Sequence, residues 1–270
     1  ALLVWHQKLN HVGYSYVHWL AKQGYLGNKA KVIVSVQQGN LPLCATCQYA
    51  KQEKKPKGAT LIKACKEKEG ALQRNVLKPG QVIAMDQYIH TVPGRAQNLF
   101  GSSGPRYIGG TIFTDIASGR IKMIHQTSLS AHETLAAKTR FEQEGKANGV
   151  TVQQYHAGNG IFAAREFTKR LLEEGQGIKF SGVGAKHQNG VAERAIKTAT
   201  YMARSMMLHA AIRWPEVYDP SLWPYALSYA CHVHNQLPKK NDWLVPARNL
   251  GRHQGGPHCK DGFFTAMGHP

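Results

Sequence analysis

The order in which apolar segments change their period constrains this chain most. Gln81–Tyr88 (QVIAMDQY), Tyr107–Thr114 (YIGGTIFT) and Arg120–Thr127 (RIKMIHQT) are short runs that read as strands. A turn-like cluster over 115–119 joins the last two, and residues 93–106 read as a flexible insertion between the first two. The pattern then becomes helical. Ser130 with Glu133 forms a capping box and predicts a helix from Ala131 to about Asn148, stopped by Gly149. A strand over 150–156, a helix over 163–174 closed by Gly175, and a strand over 178–183 follow. A long helix from about Asn189 to Ala211, then one from a Ser221 cap to about Asn235, complete the set. Three strands in a meander followed by alternating helix and strand predict an α/β domain, a mixed sheet with helices on both faces.

Composition narrows the partner. With 34 basic against 16 acidic residues the formal charge is +18, which favours a polyanion, nucleic acid above all. A solubility charge or a ribosomal-type protein is the plainer account. At 42% hydrophobic residues the chain can bury a real core, as one large domain or two smaller ones. The five scattered cysteines argue against a secreted disulfide framework. No apolar run of ~18 residues predicts a membrane span, and the start does not read as a signal peptide. We expect an intracellular, nuclear protein without membrane attachment. The start at Ala1 without Met suggests a fragment or a segment of a longer polyprotein.

The first fifty residues carry a metal-ligand pattern. His6 and His11 lie at the edge of a helical segment ending near Gly24, and Cys44-Ala45-Thr46-Cys47 follows. Two imidazoles and two thiolates suit structural, tetrahedral zinc, and so small a region needs such a staple. Surface histidines beside an incidental CxxC are the alternative. His18 falls on another turn and is left out. The next stretch, 51–80, holds Lys51, Lys54, Lys55, Lys57, Lys63, Lys66 and Lys68 among Pro56, Gly58, Gly70 and Pro79-Gly80. It reads as a linker whose charge can track a phosphate backbone, or as a solvated linker without contacts. Cys65 reads as a bystander.

The stretch from Tyr155 to Lys197 carries the chemistry. A strand ends in Tyr155-His156-Ala157-Gly158-Asn159-Gly160, and His187-Gln-Asn-Gly-Val-Ala-Glu-Arg194 opens a helix. Glu193 falls in its first turn, with Lys197 one turn further on the same face. Asp86 sits near the end of the first strand. Carboxylates at such ends can hold divalent metal over a phosphodiester, and two hard cations ~3.5–4 Å apart require several of them. The plainer accounts are a strand-end cap for Asp86 and, for Glu193, a helix-dipole interaction of ~0.3–1 kcal/mol. Arg194 reads most simply as a structural pair or surface charge.

Taken in order, Trp5-His6…His11, Cys44-x-x-Cys47, Asp86, Phe113-Thr-Asp-Ile-Ala-Ser-Gly119, Tyr155-His-Ala-Gly-Asn-Gly160 with Glu166-Phe167, and His187…Arg194 resemble the integrase of a copia-type LTR retrotransposon, over roughly residues 5–238. The resemblance implies a zinc-binding N-terminal domain at 1–50, a basic linker at 51–80 and a ribonuclease H-like core at 81–238 with a five-stranded mixed sheet. It also implies an Asp, Asp, Glu set holding two Mg²⁺ (or Mn²⁺) ions. These support processing of element ends and strand transfer into target DNA by a homo-oligomer. Asp86 takes the first acidic position and Glu193 the third. The second should stand immediately before Asn159-Gly160, where this chain has Gly158. Lys197 is similar to the basic residue that touches element DNA, and Arg194, Lys54, Lys55 and Lys57 complete the expected DNA contacts.

Losing that carboxylate removes a ligand and a negative charge together, so we expect impaired catalysis. His156 shares the face of Gly158 and is a tolerable ligand for Mn²⁺ but a poor one for Mg²⁺. Asn159 projects the other way. Asp115 is similar to an acidic position of the family that is not a metal ligand, and should bind within its turn. A non-catalytic DNA-binding module, and more weakly an oligomerisation scaffold, are the competing accounts. Residues 239–270 depart from the family pattern, read like a shifted frame or spliced-in tail, and are expected to be disordered. His258-Cys259 there lacks a partner pair.

Overall fold

The computed structural model describes residues 1–36, 40–53, 76–96, 104–182 and 189–238. Most of the expected linker, with Lys54, Lys55 and Lys57, lies outside the described residues, as do His187, Gln188 and the 239–270 tail.

The strands are β1 (Val82–Gly94), β2 (Tyr107–Asp115), β3 (Ile121–Gln126), β4 (Gln154–Ala157) and β5 (Gly177–Phe180), in the order β3-β2-β1-β4-β5. β1 to β3 form the antiparallel meander, while β4 runs parallel to β1 and β5 parallel to β4. This is the expected five-stranded mixed sheet. Gly109 and Gly110 let its centre close: a Cβ on either would stand 2.1 Å from a neighbouring strand's carbonyl oxygen, Tyr88 O or Ile124 O. β1 runs past its expected end, through a register shift between Ile89 and Gly94. β4 starts later than expected because Val150 and Val152 are buried from a loop, while the Gln153 N–H bonds Gly80 O.

Helices cover both faces. α5 (Ala131–Ala147) and α6 (Arg165–Glu173) bury Ile83, Met85, Phe113, Tyr155 and Ala157 on one side. Ser130 caps α5 as predicted, but the Glu133 carboxylate turns to the Thr127 and Ser128 N–H groups instead of closing the box. α7 (Gly190–Arg213) and α8 (Trp223–Gln236) cover the other face. The stripe Ala192, Ala195, Ala199 and Ala203 recurs at helical spacing, and its small side chains let α7 lie close to the sheet. Asn235 anchors α8 by bonding both the N–H and the carbonyl of Ile121 on edge strand β3, at 2.9 and 2.7 Å. Ser221 is not the α8 cap; Asp219 caps the short turn before that helix, accepting from the Ser221 N–H.

Four short helices precede the sheet: α1 (Leu2–Lys8), α2 (Tyr14–Lys22), α3 (Ala30–Val34) and α4 (Ala45–Ala50). Their side chains Leu9, Val17, Leu20 and Ile33 join the same apolar cluster as α7 and α8. Among the described residues no helix is long and apolar enough to cross a membrane.

Candidate active site and metal cluster

The parallel register pairs Ala84 with His156 and Met85 with Ala157, so the next step places Asp86 beside Gly158. Met85 and Ala157 face α5 and α6 while Ala84 faces α7, and strand alternation therefore puts Asp86 on the α7 side. Asn189, immediately before α7, fastens that helix to β1: its Nδ2 donates to Met85 O at 3.2 Å. Glu193, in the first turn, is thereby held within electrostatic reach of Asp86. The Asp86 carboxyl is shifted upward, chiefly by burial and further by the Glu193 charge, against the stabilising Gln87 N–H and Asn189 amide. The Gln87 N–H bonds it at 2.8 Å. Asn189 Oδ1 is buried there with no hydrogen-bond partner among the described residues. Such an electronegative centre is a place for a cation.

Gly158 has no structural reason to be glycine. A Cβ added there would meet nothing within 4 Å among the described residues, and its backbone lies outside the left-handed region. His156, the candidate substitute ligand, has Nε2 3.4 Å from Ser181 Oγ. Asn159 turns toward β5, its Nδ2 donating to Ser181 O at 3.2 Å. Asp115 is buried in its own turn, as expected, accepting from Gly80 N at 3.1 Å, Ser118 N at 2.8 Å and the Ser118 hydroxyl.

Lys197 is exposed on α7, but it has a partner that sequence reasoning missed. Its Nζ lies 2.6 Å from the Glu53 carboxylate, which also accepts from the Tyr201 hydroxyl. The shared hydrogen bond holds the Glu53 carboxyl below its ordinary value and raises the Lys197 ammonium. Glu53 stands directly before the lysine-rich run, and nothing in that run marks it. Arg194 is exposed on a different flank, along a groove with Thr114, Gly119 and His234.

The second centre lies at the N-terminal helices. His6, His11, Cys44 and Cys47 come together, with one donor atom from each within 4.8 Å of the others. His6 Nε2 and His11 Nδ1 are 3.3 Å apart. The nitrogen–sulfur distances are 3.4 Å for His11–Cys44, 3.2 Å for His6–Cys47 and 3.5 Å for His11–Cys47. A tetrahedron with metal bonds of ~2.05 Å to nitrogen and ~2.3 Å to sulfur has edges of ~3.3 and ~3.6 Å. The donor set therefore fits one tetrahedral metal ion. His6 Nδ1 donates to Val12 O at 2.7 Å, which leaves Nε2 as its ligand atom. Burial depresses both histidines, His11 to about 4, and neutral rings are what a metal requires. Tyr14 stacks on His6 with centroids 4.5 Å apart. His18 stays outside the cluster, as expected.

No family model and no curated protein matches this sequence. Similar solved structures include the HTLV-2 integrase catalytic core domain in complex with magnesium. Its trimeric form gives 16% identity and a TM-score of 0.45, and its dimeric form 16% and 0.43, each over 64% of this chain and 98% of that one. The simian T-cell lymphotropic virus intasome with a PP2A regulatory subunit gives 14% identity and 0.44, over 68% of this chain and 60% of that one.

Proposed function

We propose that this chain is a copia-type, integrase-like DNA strand transferase whose acidic centre has lost its second carboxylate. One observation carries the reading: Asp86 on β1 lies within electrostatic reach of Glu193 on α7, and the strand register sets it beside Gly158, where a Cβ would meet nothing among the described residues. Two carboxylates suit one hard cation completed by water, whereas a pair of cations needs a third acid between them. A cation held by Asp86 and Glu193, Mg²⁺ or more readily Mn²⁺, would supply Lewis-acid stabilisation to a phosphoryl oxygen. The chain's own part is to hold the two carboxylates together and, through Lys197 and the linker lysines, to bind the DNA backbone.

Zinc is the metal that matches two imidazoles and two thiolates in tetrahedral array. In this reading 1–50 is the zinc module, 51–80 the linker, 81–238 the core and 239–270 a tail. The partners are element ends and target DNA, bound by a homo-oligomer in the nucleus. The second reading, a DNA-binding module without catalysis, is favoured by Gly158 itself.

The experiment compares the parent chain with Gly158→Asp in strand transfer of a labelled duplex oligonucleotide, in Mg²⁺ and separately in Mn²⁺. Activity in the variant alone is the expected result. Equal activity in the parent would show that another ligand completes the site. Inactivity of both, with DNA binding retained, would favour the non-catalytic module.

A further inference from the structure

The metal cluster does not end at its four donors. His11 presents Nδ1 to the cluster, and its other ring nitrogen, Nε2, lies 3.3 Å from Nδ1 of His209. His209 belongs to α7, the same core helix that carries Glu193. The two rings meet edge to face, with centroids 5.4 Å apart. Coordination through Nδ1 fixes the imidazole proton on Nε2. His11 then donates and His209 accepts, so the metal decides which way this hydrogen bond runs.

Other contacts converge on the same seam. Lys51, which follows α4, donates from Nζ to His11 O at 2.7 Å. α4 itself, opened by Cys44 and carrying Cys47, packs against α7. Asn10 and His11 both hold left-handed backbone, φ 58° and 57°. For residues with a Cβ that conformation is disfavoured and persists where its surroundings fix it. Here the fixing groups are the cluster on one side and His209 with Lys51 on the other.

We infer that His209 is an outer-sphere positioning residue of the metal cluster, and that filling the cluster and seating the N-terminal helices on α7 are one coupled equilibrium. The inference rests on the cluster being a zinc site. A metal ion at the N-terminal helices thus bears on the helix that positions Glu193, with no contact between the two centres. Coupling of this kind is reciprocal: what loosens the seam weakens the metal, and removing the metal loosens the seam.

The test uses the full chain, with zinc affinity read by competition against a chromophoric chelator. Amide hydrogen exchange is followed in α4 and α7 with and without EDTA. His209→Phe keeps a ring but removes the acceptor, and should weaken zinc by about 10–100-fold, the usual effect of losing an outer-sphere partner. His209→Gln, whose amide oxygen can accept the same hydrogen bond, should recover most of that loss. EDTA should raise exchange in α4 and the facing turns of α7 in the parent chain. The zinc-loaded Phe variant should already exchange faster there. Parent-like zinc affinity in the Phe variant, equal losses in both variants, or exchange indifferent to EDTA would each overturn the coupling while leaving the zinc site standing. A parent chain that takes up no zinc would overturn both.

Discussion

The Tyr88 hydroxyl donates a 2.6 Å hydrogen bond to Nδ1 of His125, reaching from β1 to β3 across the β2 strand between them. The direction follows from the far side of the ring, where Pro224 O, which can only accept, lies 2.9 Å from Nε2 and takes its proton, with the Ser228 hydroxyl also at 2.9 Å. Both nitrogens are thus committed in the neutral ring, and burial lowers its pKa to about 4. An unfolded histidine titrates near 6.5, so between those values the unfolded chain binds the extra proton. Stability from this ring is whole above pH ~6.5 and is lost as pH falls toward 4. Urea unfolding should therefore show about 2 kcal/mol more destabilisation between pH 7 and 5 than a His125→Asn variant does, with zinc held saturating.

An acid at position 158 should cost the fold little and make it metal-dependent. Gly158→Ala should leave stability within about 0.5 kcal/mol of the parent, since the added methyl meets nothing. Gly158→Asp adds a third negative charge beside Asp86 and Glu193, so it should melt lower than the Ala variant in EDTA and recover with Mg²⁺ or Mn²⁺. Thermal unfolding in the two conditions decides it. An Asp variant whose Tm ignores divalent cations would show that the three positions do not converge.

The ion pair between Glu53 and Lys197 occupies a lysine expected at the DNA backbone. Glu53→Gln should tighten binding to duplex DNA at low salt and steepen the plot of log affinity against log salt by about one phosphate contact. Lys197→Ala alone should leave the slope near the parent's, and added to Glu53→Gln it should remove the steepening, almost regardless of sequence. Salt titrations of these variants provide the measurement.

Behind the sheet, Lys138 is buried at 1% exposure between Glu142 and Glu174. Glu142 also accepts from Tyr155 and Gln176, each at 2.6 Å. Lys138→Met strands buried carboxylate charge and should cost about 3–5 kcal/mol in urea unfolding at pH 7. Adding Glu142→Gln should return part of it, because the remaining network needs one charge fewer.

The elements that bury one clear face were legible in the sequence. All five strands and the four core helices occur in the expected order, because period and punctuation are local properties, although β1 runs longer, β4 starts later and α8 lacks the expected Ser221 cap. What was not legible lies between distant segments. The Asn189 bond to Met85, the Asn235 clasp on Ile121 and the His209 contact with His11 join residues that no spacing rule relates. The four metal donors were readable because thiolate and imidazole are scarce residue types in a telling order. Glu53 was not, being one carboxylate next to a run of lysines. The β1 extension was missed because Pro93 and Gly94 look like a break, whereas Gly94 packs against Trp223 of α8.

The open space at Gly158 bears on the history of the gene as well as its chemistry. A single G-to-A change at the second position of any glycine codon gives aspartate or glutamate. Among the described residues no side chain takes the space a Cβ would need, and the backbone there does not require glycine. An acidic residue at 158 is therefore one base away, and among the described residues none would need a second substitution to make room for its carboxylate.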